Sequence, residues 1–153
     1  MIKYDWMNQG VGSRIVTLMD LDEIARLGAS LRQIDQRLLP AKQGITKVWY
    51  QGGEPYFDVI VELRQGKIEW FQFTFRGKSI SWQPNFSDLQ TGQTNELHTD
   101  DLTFHPASKL IENNQQKDVE FIKLACAILQ THTGEPFFDQ ILLLFEEKRA
   151  EGT

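Results

Sequence analysis

Apolar and polar residues alternate between Ile45 and Gln83 in four short runs that are separated by glycines. Alternation with a period of two is typical of strands with one buried face, and glycine between two such runs is typical of a tight turn. The segment therefore predicts a four-stranded antiparallel β-meander. Its runs are Ile45 to Tyr50, Tyr56 to Arg64, Lys67 to Arg76 and Lys78 to Gln83.

The lengths of two turns predict which side chains share a face of this sheet. A three-residue loop from Arg64 to Gly66 places Leu63 opposite Lys67, and the next turn is a two-residue loop at Arg76-Gly77. We expect the longer first loop, because a two-residue loop there would scatter the aromatic side chains over both faces. The resulting aromatic face contains Phe57, Val59, Val61, Phe71, Phe73, Phe75, Ile80 and Trp82.

The opposite face is polar except for Ile60 and Trp70. Its predicted members are Asp58, Ile60, Glu62, Trp70, Gln72, Thr74, Ser79 and Ser81. An unpaired buried polar group costs about 1 to 3 kcal/mol, so we expect the helices to cover the aromatic face instead. Aromatic residues in polar surroundings are enriched at interfaces. The predicted binding residues are therefore Asp58, Ile60, Glu62, Trp70, Gln72 and Thr74.

Three segments carry apolar residues every three or four positions, which predicts helices. The first begins after Asp20, which has capping-box spacing to a glutamate, and ends at Pro40. The second covers Val119 to Leu129, and the third begins at Pro136. Gly28 lies inside the first pattern, and a glycine within a helix indicates the close approach of a neighbouring element.

We predict one α+β domain over residues 1 to 153, with the N-terminal helix and the two C-terminal helices on one face of the meander. Residues 15 to 19 are apolar enough to add a fifth strand. Residues 84 to 117 are mostly polar and predict a long loop, and loops beyond about 15 residues are usually functional or disordered. The order of one helix and four strands resembles the cystatin-like arrangement, in which a curved sheet wraps a helix. Since that arrangement hosts inhibitors, binding modules and enzymes, the resemblance selects no function.

The net charge of −5 is unevenly distributed, with six acids and two bases in residues 84 to 118. No cluster of Lys and Arg is present to neutralise phosphates, so we expect no nucleic-acid partner. No segment approaches the ~20 apolar residues of a membrane span, and the first residues lack a signal-peptide pattern. We therefore expect no membrane partner and a cytoplasmic location. Cys126, the single cysteine, is expected to be a core residue rather than a nucleophile.

Two sets of side chains are candidates for chemistry. His98, Asp100, Asp101 and His105 are of types that bind metals, but the spacing matches no metal motif, so we expect no metal and no cofactor. Asp58 and Glu62 share a strand face and could act as an acid and base pair if their surroundings differed. We expect both carboxylates to be solvated, since antiparallel sheets commonly have one wet face.

Three hypotheses for function remain. The first is a small interaction or regulatory module that binds a protein partner, or a second copy of itself, through the polar sheet face or the acidic loop. The second is a small-ligand-binding protein with a cleft between the sheet and the helices. The third, an enzyme with a site among the carboxylates and histidines, ranks last because it is a default expectation.

Overall fold

In the computed structural model the chain is an α+β protein with one open antiparallel sheet. The structure describes residues 19–35, 44–94, 111–132 and 136–151. These residues form three helices and seven strands: α1 (Leu21–Ser30), β1 (Arg32–Gln33), β2 (Thr46–Gln51), β3 (Asp58–Arg64), β4 (Lys67–Phe75), β5 (Lys78–Trp82), β6 (Gln90–Thr94), β7 (Ile111–Asn113), α2 (Val119–Thr131) and α3 (Pro136–Glu151).

The described residues divide into two compact units. The sheet unit lies between Leu31 and Lys117, and the helical unit contains the described residues up to Ser30 and from Asp118 onward. The predicted α+β class is confirmed, whereas the single domain and the placement of the helices on one face stay predictions. No helix in the described part of the chain is long and apolar enough to cross a membrane.

The sheet is a continuous meander, because each strand pairs with the next in the order β1 to β7. Its seven strands exceed the four or five predicted. β6 and β7 lie within residues 84 to 117, where the sequence predicted a loop. β6 consists of glutamines, threonines and a glycine, so it lacks the apolar alternation by which a strand is recognised. Backbone pairing joins β6 to β7 instead. Asn114 Nδ2 also donates a hydrogen bond of 3.1 Å to Thr91 Oγ1. The strand predicted at residues 15 to 19 falls outside the described residues except for Met19.

The first helix is shorter than predicted, since α1 ends at Ser30 and not at Pro40. Ser30 Oγ donates to a main-chain carbonyl one turn back at 2.7 Å, a bond that favours helix ends. The Ile34 N–H then donates to the Trp49 carbonyl at 2.8 Å, so the chain continues as an edge strand. Leu31 is buried although it is not helical, which is why the apolar period continues past the helix.

The turn between β3 and β4 is a two-residue turn and not the predicted three-residue loop. Gln65 and Gly66 have φ angles of 53° and 78°, and Arg64 lies opposite Lys67. Two consecutive left-handed residues match the twist of a hairpin. The prediction expected that conformation at Gly66 alone, and Gln65 adopts it as well. The predicted pairing of Leu63 with Lys67 is therefore wrong.

A β-bulge restores the predicted faces despite the different turn. Leu63 pairs with Ile68, but the next residue, Glu62, pairs with Trp70. Glu69 is thus the extra residue of the bulged strand. This extra residue shifts every later residue of β4 by one position relative to β3, so Phe71 and Phe73 pair with Val61 and Val59 on one face. The expectation that a two-residue turn would scatter the aromatic side chains is therefore wrong.

The second turn is the predicted two-residue loop at Arg76-Gly77, and Phe75 lies opposite Lys78. Phe73 pairs with Ile80 and Phe71 with Trp82, which confirms that these residues share the aromatic face. The Phe57 ring contacts the rings of Phe73 and Phe75 edge-on, with centroids 6.0 and 4.9 Å away. Seven residues of the aromatic face are fully or nearly fully buried: Phe57, Val59, Val61, Phe71, Phe73, Phe75 and Ile80.

The helical unit has a close crossing of α1 and α2 at Gly28, as predicted. A Cβ at this position would overlap the Thr131 hydroxyl and lie 2.7 Å from the Ile128 carbonyl oxygen. His132, which follows α2, places its Nδ1 2.8 Å from the Gly28 carbonyl oxygen. Only a residue without a side chain allows the two helices to come this near.

Cys126 is fully buried in α2, in agreement with its predicted role as a core residue. Burial raises the pKa of its thiol well above the ordinary value of 9.0, and the nearby Glu146 carboxylate raises it further. The thiol is therefore protonated and shielded at neutral pH, which disfavours a nucleophilic role.

Candidate binding surface

The structure brings all six predicted binding residues together on one face of β3 and β4. They form three successive cross-strand pairs. Residues directly opposite each other on one face of an antiparallel pair have Cβ atoms about 4.5 to 5.5 Å apart. The pairs are Asp58 with Thr74, Ile60 with Gln72, and Glu62 with Trp70.

The neighbouring strands β2 and β5 extend these pairs into three rows across the sheet. The polar row is Gln51, Asp58, Thr74 and Ser79, the middle row is Trp49, Ile60, Gln72 and Ser81, and the charged row is Lys47, Glu62 and Trp70. Sequence reasoning missed Trp49 and Lys47, because it assigned no register to β2. The signal was present, since the apolar Val48 and Tyr50 alternate with both residues.

Three of the four residues of the polar row are buried, contrary to the expectation of a solvated face. Asp58, Thr74 and Ser79 are 2%, 0% and 1% exposed. Asp58 Oδ1 accepts a hydrogen bond of 2.9 Å from the Trp49 indole N–H. A buried carboxylate requires donors of this kind, and the missed tryptophan supplies one. The hydrogen bond also restricts the orientation of the Trp49 ring.

The two carboxylates of this face do not form an acid and base pair. Asp58 and Glu62 are four residues apart on one strand, which separates their Cα atoms by about 13 Å. Ile60 lies between them on the same face, and Glu62 lies opposite Lys47. At that separation the two carboxylates do not share a proton, and they do not lie on opposite sides of one substrate bond.

Six half-buried side chains of the middle and charged rows form what we call the indole surface. The Trp70 and Gln72 side chains make no hydrogen bond with any residue that the structure describes, whereas the Trp49 N–H is donated to Asp58. The two tryptophans lie two strands and one row apart, so their Cα atoms are separated by about 12 Å. The indole surface consists of Lys47, Trp49, Ile60, Glu62, Trp70 and Gln72.

No group of three or more His, Cys, Asp or Glu side chains within the described ranges could hold a metal ion. The loop residues considered for a metal, from His98 to His105, lie outside those ranges. His132 is described, and its ring packs 5.0 Å from the Phe138 ring, centroid to centroid. This histidine therefore takes part in helix packing.

Comparisons of the chain with protein-family models, with curated proteins and with solved structures give no match.

Proposed function

We propose that this protein is an interaction module, acting in the cytoplasm, that binds a segment of another polypeptide through the indole surface. The observation that carries the proposal is the position of two half-buried tryptophans and Ile60 within one patch of an otherwise polar sheet face. Tryptophan is enriched among the residues that dominate binding energy at interfaces. The lone, buried Cys126 fits a reducing compartment, where disulfides are rare.

The charge of the surface supports a partner that is held by contact rather than by electrostatic attraction. Its one cation, Lys47, lies directly opposite its one anion, Glu62. The two charges balance within a chain of net charge −5. Depletion of net charge at the centre of a patch is typical of an interface core.

The size of the surface supports a segment rather than a folded domain. Two rows that cross three strands cover roughly 200 Å², given strands about 4.8 Å apart and rows about 6.8 Å apart. A stable complex of folded proteins buries about 800 Å² on each partner. A short extended segment needs less area than that, so it fits the indole surface better than a second globular face does.

Affinity capture with the tagged full chain tests the proposal. We expect Trp70→Ser to lose at least one partner that the unmodified chain retains, because it removes the less constrained of the two indoles. Leu143→Ser is the matched control, since Leu143 is an apolar residue of α3 that is 51% exposed. Circular dichroism checks that both variants are folded.

A partner set that Trp70→Ser leaves unchanged contradicts the proposal. Light scattering gives a second readout, because self-association is the other form of an interaction module. A dimer that Trp70→Ser dissociates would make a second copy of the chain the partner and would refute the size argument.

A further inference from the structure

We infer that the segment bound by the indole surface is proline-rich and in the polyproline II conformation, an inference that rests on the proposed function. Aromatic surfaces recognise such segments because the helix is ordered before it binds and loses little conformational entropy. A surface of this small size offers few contacts, so a ligand with a low ordering cost suits it best.

The spacing of the two indoles matches this conformation. Trp49 and Trp70 lie about 12 Å apart between their Cα atoms, on neighbouring rows. A polyproline II helix rises about 3.1 Å per residue, so three to four of its residues span about 9 to 12 Å. Two prolines separated by that number of positions can each rest against one indole ring, with Ile60 between the rings.

Hydrogen bonding supports the same ligand. The polyproline II backbone has no internal hydrogen bonds, and a proline supplies acceptors but no donor. The Trp70 indole N–H and the Gln72 amide make no hydrogen bond with any residue in the described ranges, and each is a group that can donate to a main-chain carbonyl. The Trp49 N–H is already donated to Asp58, so that residue offers its ring alone.

Other ligand classes fit less well. A cationic segment would compete with Lys47, which already faces Glu62 across the ladder. Strand addition needs a sheet edge, whereas the indole surface lies on the face of β2, β3 and β4. A saccharide would stack on the same rings, but the Asp58 carboxylate that could bind its hydroxyl groups is buried.

A titration of the full chain, labelled with ¹⁵N at its tryptophans, tests the inference. The probes are a proline decamer, a glycine-serine decamer of the same length and cellohexaose. We expect the proline decamer to shift the Trp49 and Trp70 indole signals saturably and to leave Trp82, on the aromatic face, unchanged. The glycine-serine decamer and cellohexaose should shift neither signal.

Variants separate the two contacts of Trp70. Trp70→Phe keeps a ring and removes the N–H, so we expect about three- to tenfold weaker binding, the effect of losing one hydrogen bond. Trp70→Ser should abolish saturable binding. Gln72→Ala, which removes the second donor and keeps both rings, should weaken binding and serves if the tryptophan variants do not fold.

The inference is overturned if the proline decamer shifts neither indole at millimolar concentration, or if the glycine-serine decamer shifts them equally. Shifts with cellohexaose alone would identify a saccharide site instead. A partner captured through Trp70 without any binding of the decamer would refute this inference and leave the proposed function standing. Failure of both experiments would refute both.

Discussion

The substitution Gly28→Ala tests the close crossing of α1 and α2. At an exposed helical position this change stabilises a protein by up to about 1 kcal/mol, because alanine has the higher helix propensity. At Gly28 the new methyl group would overlap the Thr131 hydroxyl and lie 2.7 Å from the Ile128 carbonyl oxygen. Overpacking of this kind costs about 1 to 3 kcal/mol. We therefore expect a net loss of up to about 2 kcal/mol in the free energy of unfolding.

Urea denaturation followed by circular dichroism measures this loss. Ala25→Gly, at an exposed position of α1, is the matched control and should cost about 1 kcal/mol through propensity alone. In a Thr131→Ala background the hydroxyl overlap is absent, so Gly28→Ala should cost at least about 0.5 kcal/mol less than in the unmodified chain. Part of the cost should remain, because the Ile128 carbonyl belongs to the backbone of α2 and moves only with the helix.

Stabilisation by Gly28→Ala would refute the reasoning. It would show that the methyl group meets open space and that the helices cross further apart. An equal cost with and without the Thr131 hydroxyl would show that the backbone contact alone sets the distance.

Three further predictions concern buried groups and the bulge. Burial raises the pKa of the Cys126 thiol, so its contribution to stability is complete below pH 9.0 and is lost as the pH rises and only the unfolded chain ionises. Unfolding free energies against pH should therefore fall less steeply for Cys126→Ala, by up to about 1.4 kcal/mol per pH unit, and an identical slope would contradict this. Asp58→Ala should cost about 1 to 3 kcal/mol more than Asp58→Asn in urea denaturation, because only alanine leaves the Trp49 N–H without its acceptor; equal losses would exclude this role. Deletion of Glu69 should cost less than about 2 kcal/mol, whereas deletion of Gln72, a regular strand residue, should prevent folding; two equally folded deletions would argue against the bulge.

The aromatic face of the sheet was predictable from the sequence, because burial imposes a period of two on its side chains. Val59, Phe73 and Ile80 occupy three neighbouring strands and are all fully buried. The outer strands were not predictable in this way. β1 and β6 are joined to the sheet through backbone pairing, and their side chains are mostly polar, so no apolar period marks them.

The candidate surface was predictable only in part. The six residues on β3 and β4 were identified, but burial of the Asp58 row was not, since polar side chains by themselves do not distinguish a buried face from a solvated one. Trp49 was missed although it donates the hydrogen bond to that carboxylate. Its identification needed the register of β2 against β3, and the connection between these two strands is longer than the tight turns that define a register directly.

The bulge decides which residues the surface contains. A regular ladder from the observed turn would place Glu62 opposite Glu69 and would move Trp70 to the other face. The sequence carries a sign of the bulge, because Ile68 and Phe71 are both apolar and three positions apart, and the ladder pairs them with Leu63 and Val61 on the aromatic face. A regular strand cannot direct two such residues to one face, so an extra residue must lie between them. That break in the period of two, read together with the turn, gives the pairing of Trp70 with Glu62 on which the proposed function depends.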